Sequence, residues 1–205
     1  MKRSLMRRAV QTLVAASATM IAARDAYAQN LGPFRQFLAV EPYYAYTQID
    51  VGGTTDKVDL SGFGARLWLN TAPFGVTDKL GVGLFVTRYP QQNHRGVAVT
   101  HYGGQLELFP VHRPIGGWFD PFITAGAGAY RSSVNRGVVA SIPAGGSNTK
   151  LALTRGVGVR IPIPNRFQLR FDARDAIVQR GSLFGPGGSG RMNNLELLAA
   201  LGLTF

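Results

Sequence analysis

The sequence lacks cysteine and has few charged residues, and each shortage argues against a class of protein. With no cysteine among 205 residues, neither a disulfide framework nor a thiolate metal site is available. Only 16% of the residues are charged and 26 are glycine, a composition that favours turns and close-packed strands over helical bundles. The length suits one domain. The absence of cysteine leaves the cellular compartment undecided.

Long apolar runs are missing outside the N-terminus, and that region has the three parts of a signal peptide. Residues 1–8 are cationic, residues 9–23 are small and mostly apolar, and Ala26 and Ala28 form an A-x-A cleavage motif. An amphipathic helix and a membrane anchor are the alternatives, but the apolar part is shorter than the ~20 residues of a spanning helix. We predict a cleaved signal peptide over 1–28 and a single domain over 29–205.

Removing the signal peptide lowers the positive charge. Residues 1–28 hold five of the 22 basic residues and one of the 11 acidic ones, so residues 29–205 carry a net charge of +7. Nucleic-acid binding calls for clustered basic residues beside aromatic ones, whereas these arginines are scattered singly. We predict no nucleic-acid partner. Anionic head groups of outer-membrane lipids and lipopolysaccharide suit the charge better, although a solvated surface with no partner suits it as well.

Apolar and polar residues alternate with a period of two, which indicates strands with two differently solvated faces. In residues 167–174, Phe167 and Phe171 share one face, whereas Gln168 and Arg170 share the other. The same alternation predicts seven further strands, at about 37–47, 59–69, 80–89, 98–108, 121–131, 151–161 and 195–205. Eight is an even number, and each segment is long enough to cross a bilayer at a tilt.

The connections between these strands differ in length. If the N-terminus is periplasmic, the connections expected outside the cell are those at about 48–58, 90–97, 132–150 and 175–194. The connections expected on the periplasmic side are those at about 70–79, 109–120 and 162–166. Long external loops and shorter periplasmic turns are typical of outer-membrane barrels.

The non-aliphatic face of the strands is too polar to form an apolar core. It carries Glu41, Arg66, His101, Gln105, Glu107, Arg160, Gln168, Arg170, Asp172, Arg174 and Glu196. A soluble lipocalin-like barrel needs bulky apolar residues inside. If this face lines the lumen of a membrane barrel, four acids meet four arginines and the glycines leave room for the arginine side chains. The predicted lumen ion-pair network consists of Glu41, Arg66, Glu107, Arg160, Arg170, Asp172, Arg174 and Glu196, since an unpaired buried ion costs several kcal/mol.

The aliphatic face then meets lipid, with aromatic residues near the strand ends as interfacial girdles. The residues expected there are Tyr43, Tyr44, Tyr46, Trp68, Tyr89, Tyr102, Trp118 and Phe119. Arg155 departs from this pattern because the alternation along its strand places its side chain on the lipid-facing side. Either it lies near the outer interface or a bulge before Gly156 shifts its register.

The signal peptide, the eight strands and the terminal Leu201-Gly202-Leu203-Thr204-Phe205 resemble the OmpA/OmpX-type outer-membrane β-barrel proteins. The resemblance covers residues 29–205 and rests on pattern rather than on a unique motif. It implies an all-β, eight-stranded, antiparallel up-and-down transmembrane barrel in the outer membrane. We also expect a monomer with its N-terminus on the periplasmic side. The resemblance also implies that the barrel-assembly machinery reads the last strand, at Leu197, Leu201, Leu203 and Phe205.

No residue pattern points to catalysis. His94, His101 and His112 lie in different segments and match no metal-site spacing. The lipid A deacylases would require a His-x-Ser element, and the sequence after His94 does not supply one. The alternating Ala-Gly run at 125–129 lacks the Lys-Ser/Thr ending of a phosphate-binding loop. We predict no enzyme, no catalytic residue, no metal and no cofactor.

Three functions stay open at this point. The first is a structural or surface-interaction barrel, whose lumen is plugged by ion pairs and whose loops 132–150 and 175–194 meet partners. The second is a narrow porin-like channel for small ions or solutes. Eight strands enclose only enough space for side chains, which favours the first. The third is a soluble periplasmic barrel that binds a lipid.

Overall fold

A computed structural model describes residues 37–50, 57–90, 97–111, 115–116, 118–134, 147–163, 166–179 and 191–205. Their secondary structure is almost entirely strand. The eight strands are β1 (Leu38–Asp50), β2 (Lys57–Asn70), β3 (Leu80–Tyr89), β4 (Val97–Leu108), β5 (Asp120–Val134), β6 (Ser147–Ile163), β7 (Phe167–Gln179) and β8 (Arg191–Thr204). A single turn of 3-10 helix, Ala72–Phe74, lies between β2 and β3. Among the described residues, no helix is long and apolar enough to span a membrane.

The strands form one closed antiparallel barrel. Each strand pairs with its neighbour in sequence, and β1 pairs with β8. When paired residues are followed from strand to strand around the barrel, the path that starts at Gln48 on β1 returns to β1 at Leu38. The strands are therefore staggered by 10 residues over one full turn of the barrel. The intermediate positions are Leu195, Asp175, Arg155, Ala125, Leu106, Val82 and Leu69. Closure with such a stagger requires strands tilted by roughly 35–45°.

The two ends of the barrel are named here by their connections. The lower rim carries the β2–β3, β4–β5 and β6–β7 connections, and the upper rim carries the other four. At the lower rim Gly75 has φ 74°, in the left-handed region that glycine adopts without strain. The barrel seam closes at this rim, since the Phe205 amide donates to the Leu38 carbonyl at 2.8 Å.

All eight predicted strands are present, so the predicted fold is confirmed. The prediction that loops run over 132–150 and 175–194 is wrong at both ends of each loop. β5 and β6 remain paired up to Ser133 and Ser147, and β7 and β8 up to Gln179 and Arg191. These outer strand ends are polar, so the apolar alternation that predicted the strands fades before the hydrogen-bonded ladder ends. The remaining loop residues 135–146 and 180–190 lie outside the described residues. The predicted signal peptide, with Ala26 and Ala28, lies outside them as well.

Side chains alternate between the interior and the outer surface along every strand. In β3, for example, each residue from Gly81 to Tyr89 is alternately buried and exposed. Large apolar side chains dominate the outer surface: Leu84 is 62% exposed, Val157 59% and Leu201 49%. Since the same strands turn their charged residues inward, the barrel is the reverse of a soluble one.

Candidate functional site

The candidate site is the lumen, where the structure brings together all eight residues of the predicted ion-pair network. Each of the eight side chains is buried. They fall into two groups that lie at different heights. Six form the group nearer the lower rim, called here the lower network: Glu41, Arg66, Glu107, Arg160, Arg170 and Asp172. The other two, Arg174 and Glu196, belong to an upper network described below.

In the lower network each acid contacts more than one arginine. Glu107 binds Arg160, lies 2.7 Å from Nη2 of Arg170 and lies 3.7 Å from Nη1 of Arg66. Asp172 accepts hydrogen bonds from Arg66 Nη1 and Arg170 Nε, both at 2.8 Å. Glu41 lies 2.9 Å from Nε of Arg66. Three carboxylates therefore share three guanidinium groups, and the cluster is neutral.

Neutral amides extend the lower network. Nε2 of Gln168 donates to Glu41 at 2.5 Å, and Nε2 of Gln105 donates to Glu107 at 2.6 Å. These bonds satisfy carboxylate lone pairs that the arginines leave free, as a buried charged cluster requires.

An aromatic floor closes the lumen beneath the lower network. Trp68, Phe109 and Phe122 are fully buried and pack together near the lower rim. The guanidinium carbon of Arg160 lies 3.9 Å from the Trp68 ring centroid, and that of Arg170 lies 4.0 Å from the Phe122 centroid. Cation–π contacts of this kind are strongest where water is excluded.

The upper network depends on one carboxylate. Glu196 accepts a hydrogen bond from Nε of Arg174 through Oε2. Its Oε1 accepts from the hydroxyl groups of Tyr89, at 3.1 Å, and Tyr130, and lies 3.1 Å from Nδ1 of His101. Apart from this carboxylate, the polar contact of Arg174 among the described residues is the side-chain oxygen of Gln105, at 3.4 Å.

Apolar side chains cover the upper network. Ile49, Leu60, Val99 and Val178 are buried close to the upper strand ends, in one cluster with Tyr89 and Tyr130. Within the described residues the lumen is thus filled in four layers: aromatic floor, lower network, upper network and apolar cover.

The girdle prediction is wrong for three aromatic residues. Tyr43, Trp68 and Tyr89 point into the lumen and are at most 4% exposed, whereas Tyr44, Tyr102 and Trp118 are exposed on the outside as predicted. The alternation of side chains along each strand predicts the correct direction for these residues. Tyr43 shares a face with Glu41, and Trp68 shares one with Arg66, so both had to point inward with those charges. Nearness to a strand end was the weaker criterion.

The inward glycines accommodate rings more than arginines. A Cβ on Gly81 would lie 2.2 Å from the Trp68 side chain, and one on Gly64 would lie 2.3 Å from the Tyr43 ring. The Arg66 side chain is 3.7 Å from the corresponding position on Gly83. The expectation that the glycines leave room for the arginine side chains holds at Gly156, where a Cβ would lie 2.7 Å from the Arg174 side chain, but more of the inward glycines lie against aromatic rings.

Arg155 keeps the outward parity of its strand. It pairs in regular register with Ala125 and Asp175, so there is no bulge. Its side chain is 72% exposed, and its Nη2 lies 3.4 Å from the Asp175 carboxylate. Eight residues separate it from Ile163 at the lower rim. At ~3.3 Å per residue and a tilt of ~45°, that places Arg155 roughly 19 Å above Ile163, towards the upper rim, where the apolar band of such barrels is about 25 Å tall.

The four residues of the predicted assembly signal lie on the outer surface, three of them on β8 and Phe205 directly after it. Leu197, Leu201, Leu203 and Phe205 are 38–49% exposed and form one outward row. His101 lies inside the barrel, and His94 and His112 lie outside the described residues. No group of three or more potential metal ligands occurs within the ranges that the structure describes.

Neither a protein-family model nor a curated protein matches the sequence. Solved structures do match the fold. Neisserial surface protein A is 16% identical with a TM-score of 0.59, over 82% of this chain and 97% of that one. The N-terminal β-barrel domain of Pseudomonas aeruginosa OprF is 10% identical with a TM-score of 0.51, over 80% and 97%. This chain has the fold of such small eight-stranded outer-membrane barrels, the class that the sequence resembles.

Proposed function

We propose that the protein is a monomeric structural or surface-interaction barrel of the outer membrane, with its N-terminus on the periplasmic side and a closed lumen. The observation that carries this proposal is the filled interior, in which every buried arginine contacts a buried carboxylate. Four carboxylates and four arginines are buried against one another, with aromatic and apolar layers at either end. A path for ions would have to cross all four layers.

The outer surface supports a membrane location. Exposed leucine, valine and phenylalanine side chains surround the barrel between its rims. A water-soluble barrel would leave this apolar surface unsatisfied, whereas lipid covers it. The interior also disfavours the soluble lipid-binding alternative, because its centre holds ion pairs where an acyl chain would need apolar walls.

Surface interaction is proposed for the upper connections, and a role in insertion for the last strand. Loops 135–146 and 180–190 follow long, polar hairpin ends, and loops on rigid scaffolds commonly carry binding residues. The outward row of Leu197, Leu201, Leu203 and Phe205 suits recognition by the barrel-assembly machinery. Outer-membrane lipids and lipopolysaccharide would surround the barrel. The chemistry inside the lumen is structural, so we propose no enzymatic activity.

Membrane fractionation with and without boiling before electrophoresis tests location and closure together. We expect the protein in the outer-membrane fraction, with different mobility in the boiled and unboiled samples. Extraction without detergent would contradict the proposal. Protease treatment of whole cells tests orientation, since cleavage should fall in the upper connections and spare those of the lower rim.

Phe205→Ser tests the role of the last strand. We expect less protein in the outer-membrane fraction, while the purified variant still refolds in detergent. Leu195→Ser is the matched control because Leu195 is exposed on the same face of β8, ten residues before Phe205. Equal losses for the two variants would show a general loss of apolar surface instead of a terminal signal.

A further inference from the structure

A row of polar side chains crosses the outside of four neighbouring strands near the upper rim. Arg88 on β3 pairs with Thr100 on β4, Thr100 with Arg131 on β5, and Arg131 with Thr149 on β6. Arg88, Arg131 and Thr149 are exposed, and Thr100 is half-buried. All four point away from the lumen. We call these four residues the basic row.

The basic row marks the upper boundary of the apolar band. Two residues closer to the lower rim on β3, β4 and β6 lie Val86, Tyr102 and Leu151, which are 47%, 44% and 61% exposed. On each of these strands the next outward-facing residue towards the upper rim is polar: Arg88 on β3, Thr100 on β4 and Thr149 on β6. Phosphate groups of membrane lipids lie at this depth, directly above the hydrocarbon.

The two arginines of the row have no ionic partner among the residues that the structure describes. Among the described residues, ion pairs join the lumen arginines and Arg155 to carboxylates, but none joins Arg88 or Arg131 to one. The two arginines stand two strands apart, roughly 10 Å, with Thr100 between them. Their guanidinium groups are therefore free to bind an anion from outside the protein.

The opposite wall of the barrel differs at the same height. Among the side chains that the structure describes there, the outward ones are Gln48, Asp59, Ser61, Asn193 and Asp175, which are neutral or acidic. Asp175 belongs to the Arg155 pair. Among the side chains that the structure describes at this height, the outward basic ones thus lie on the β3–β6 side.

We propose that the basic row is a binding site for the phosphate group of an anionic membrane lipid in the leaflet at the upper rim. Guanidinium groups bind phosphate oxygens through two parallel hydrogen bonds, and the threonine hydroxyls supply further donors. The aliphatic stems of the arginines lie along the apolar band while their charged ends reach the head groups. This inference rests on the membrane location proposed above.

Lipid retention by the purified full barrel tests the site. The protein is equilibrated in detergent micelles that contain equal amounts of phosphatidylglycerol and phosphatidylcholine, and retained lipids are counted by native mass spectrometry. We expect the wild type to prefer phosphatidylglycerol, and Arg88→Gln/Arg131→Gln to lose about fivefold in preference per arginine removed. Lys79→Gln/Arg166→Gln is the matched control, because it removes the same charge at the lower rim and should keep the preference.

Three outcomes would overturn the site. One is an unchanged preference in the Arg88→Gln/Arg131→Gln variant, and another is an equal loss in the lower-rim control, which would show a general charge effect. The third is saturable binding of inorganic phosphate by the wild type together with equal retention of the two lipids, since this would identify a free anion as the ligand. A second measurement separates the two proposals: the wild type is refolded into vesicles, and its electrophoretic mobility is compared with and without boiling. A barrel that folds in the vesicles but shows no lipid preference contradicts this inference alone. Failure to insert contradicts both proposals.

Discussion

The lower and upper networks of the lumen neutralise their charges in different ways. In the lower network three carboxylates and three arginines share contacts, so that Arg66, for example, lies within 4.0 Å of Glu41, Glu107 and Asp172. In the upper network the single carboxylate of Glu196 serves Arg174, His101, Tyr89 and Tyr130. A shared network tolerates the loss of one member, whereas a network built on one acceptor does not. The lower network should therefore be redundant, and the upper network should depend on Glu196.

The largest effect is expected for Glu196→Gln. The substitution leaves Arg174 buried without a carboxylate, and an uncompensated buried charge typically lowers the free energy of unfolding by about 3–5 kcal/mol. Denaturant titration of the refolded protein in detergent measures the change.

The control for this substitution removes both charges. Glu196→Gln/Arg174→Gln should recover most of the lost stability, because replacing both partners of a buried pair is often close to neutral. A double variant as unstable as the single one would show that packing around Glu196, and not its charge, stabilises the upper lumen.

A smaller effect is expected for Glu41→Gln. Arg66 keeps Asp172 at 2.8 Å, and Arg170 keeps Glu107 at 2.7 Å, so no arginine loses every carboxylate. We expect a decrease of about 1–3 kcal/mol, the cost of hydrogen bonds left unmade. The same titration gives the result, and a loss as large as that of Glu196→Gln would refute the redundancy of the lower network.

The smallest effect is expected outside the lumen. Arg155 and Asp175 are 3.4 Å apart on the outer surface, with the arginine side chain 72% exposed. Ion pairs at an exposed surface contribute about 0–1 kcal/mol, and a lipid-facing arginine near the edge of the apolar band costs about 0–1 kcal/mol. Arg155→Gln should therefore change the free energy of unfolding by less than about 1 kcal/mol. A change comparable to that of Glu41→Gln would mean that burial does not determine how much an arginine ion pair contributes to the free energy of unfolding.

Strand parity carried most of the sequence prediction. Because successive side chains point to opposite faces, the placement of Arg170 and Asp172 inside follows from Phe171 outside, whatever the strand's partner. Which acid meets which arginine does not follow, since Glu107 and Arg160 are 53 residues apart in sequence and meet only through the stagger of the closed barrel. The sequence pattern also did not predict the outer ends of the hairpins. Backbone hydrogen bonds pair these ends beyond the apolar band, where apolar and polar residues no longer need to alternate.

Ion conduction through the reconstituted barrel tests the central claim, a lumen closed by these layers, most directly. In planar-bilayer recordings we expect no discrete, stable openings from the refolded wild type. A variant that removes the upper network and part of its cover, Glu196→Ala/Arg174→Ala/Tyr89→Ala, provides a comparison in which any residual leak should increase. Reproducible openings of uniform conductance in the wild type would contradict the closed lumen and favour the narrow channel.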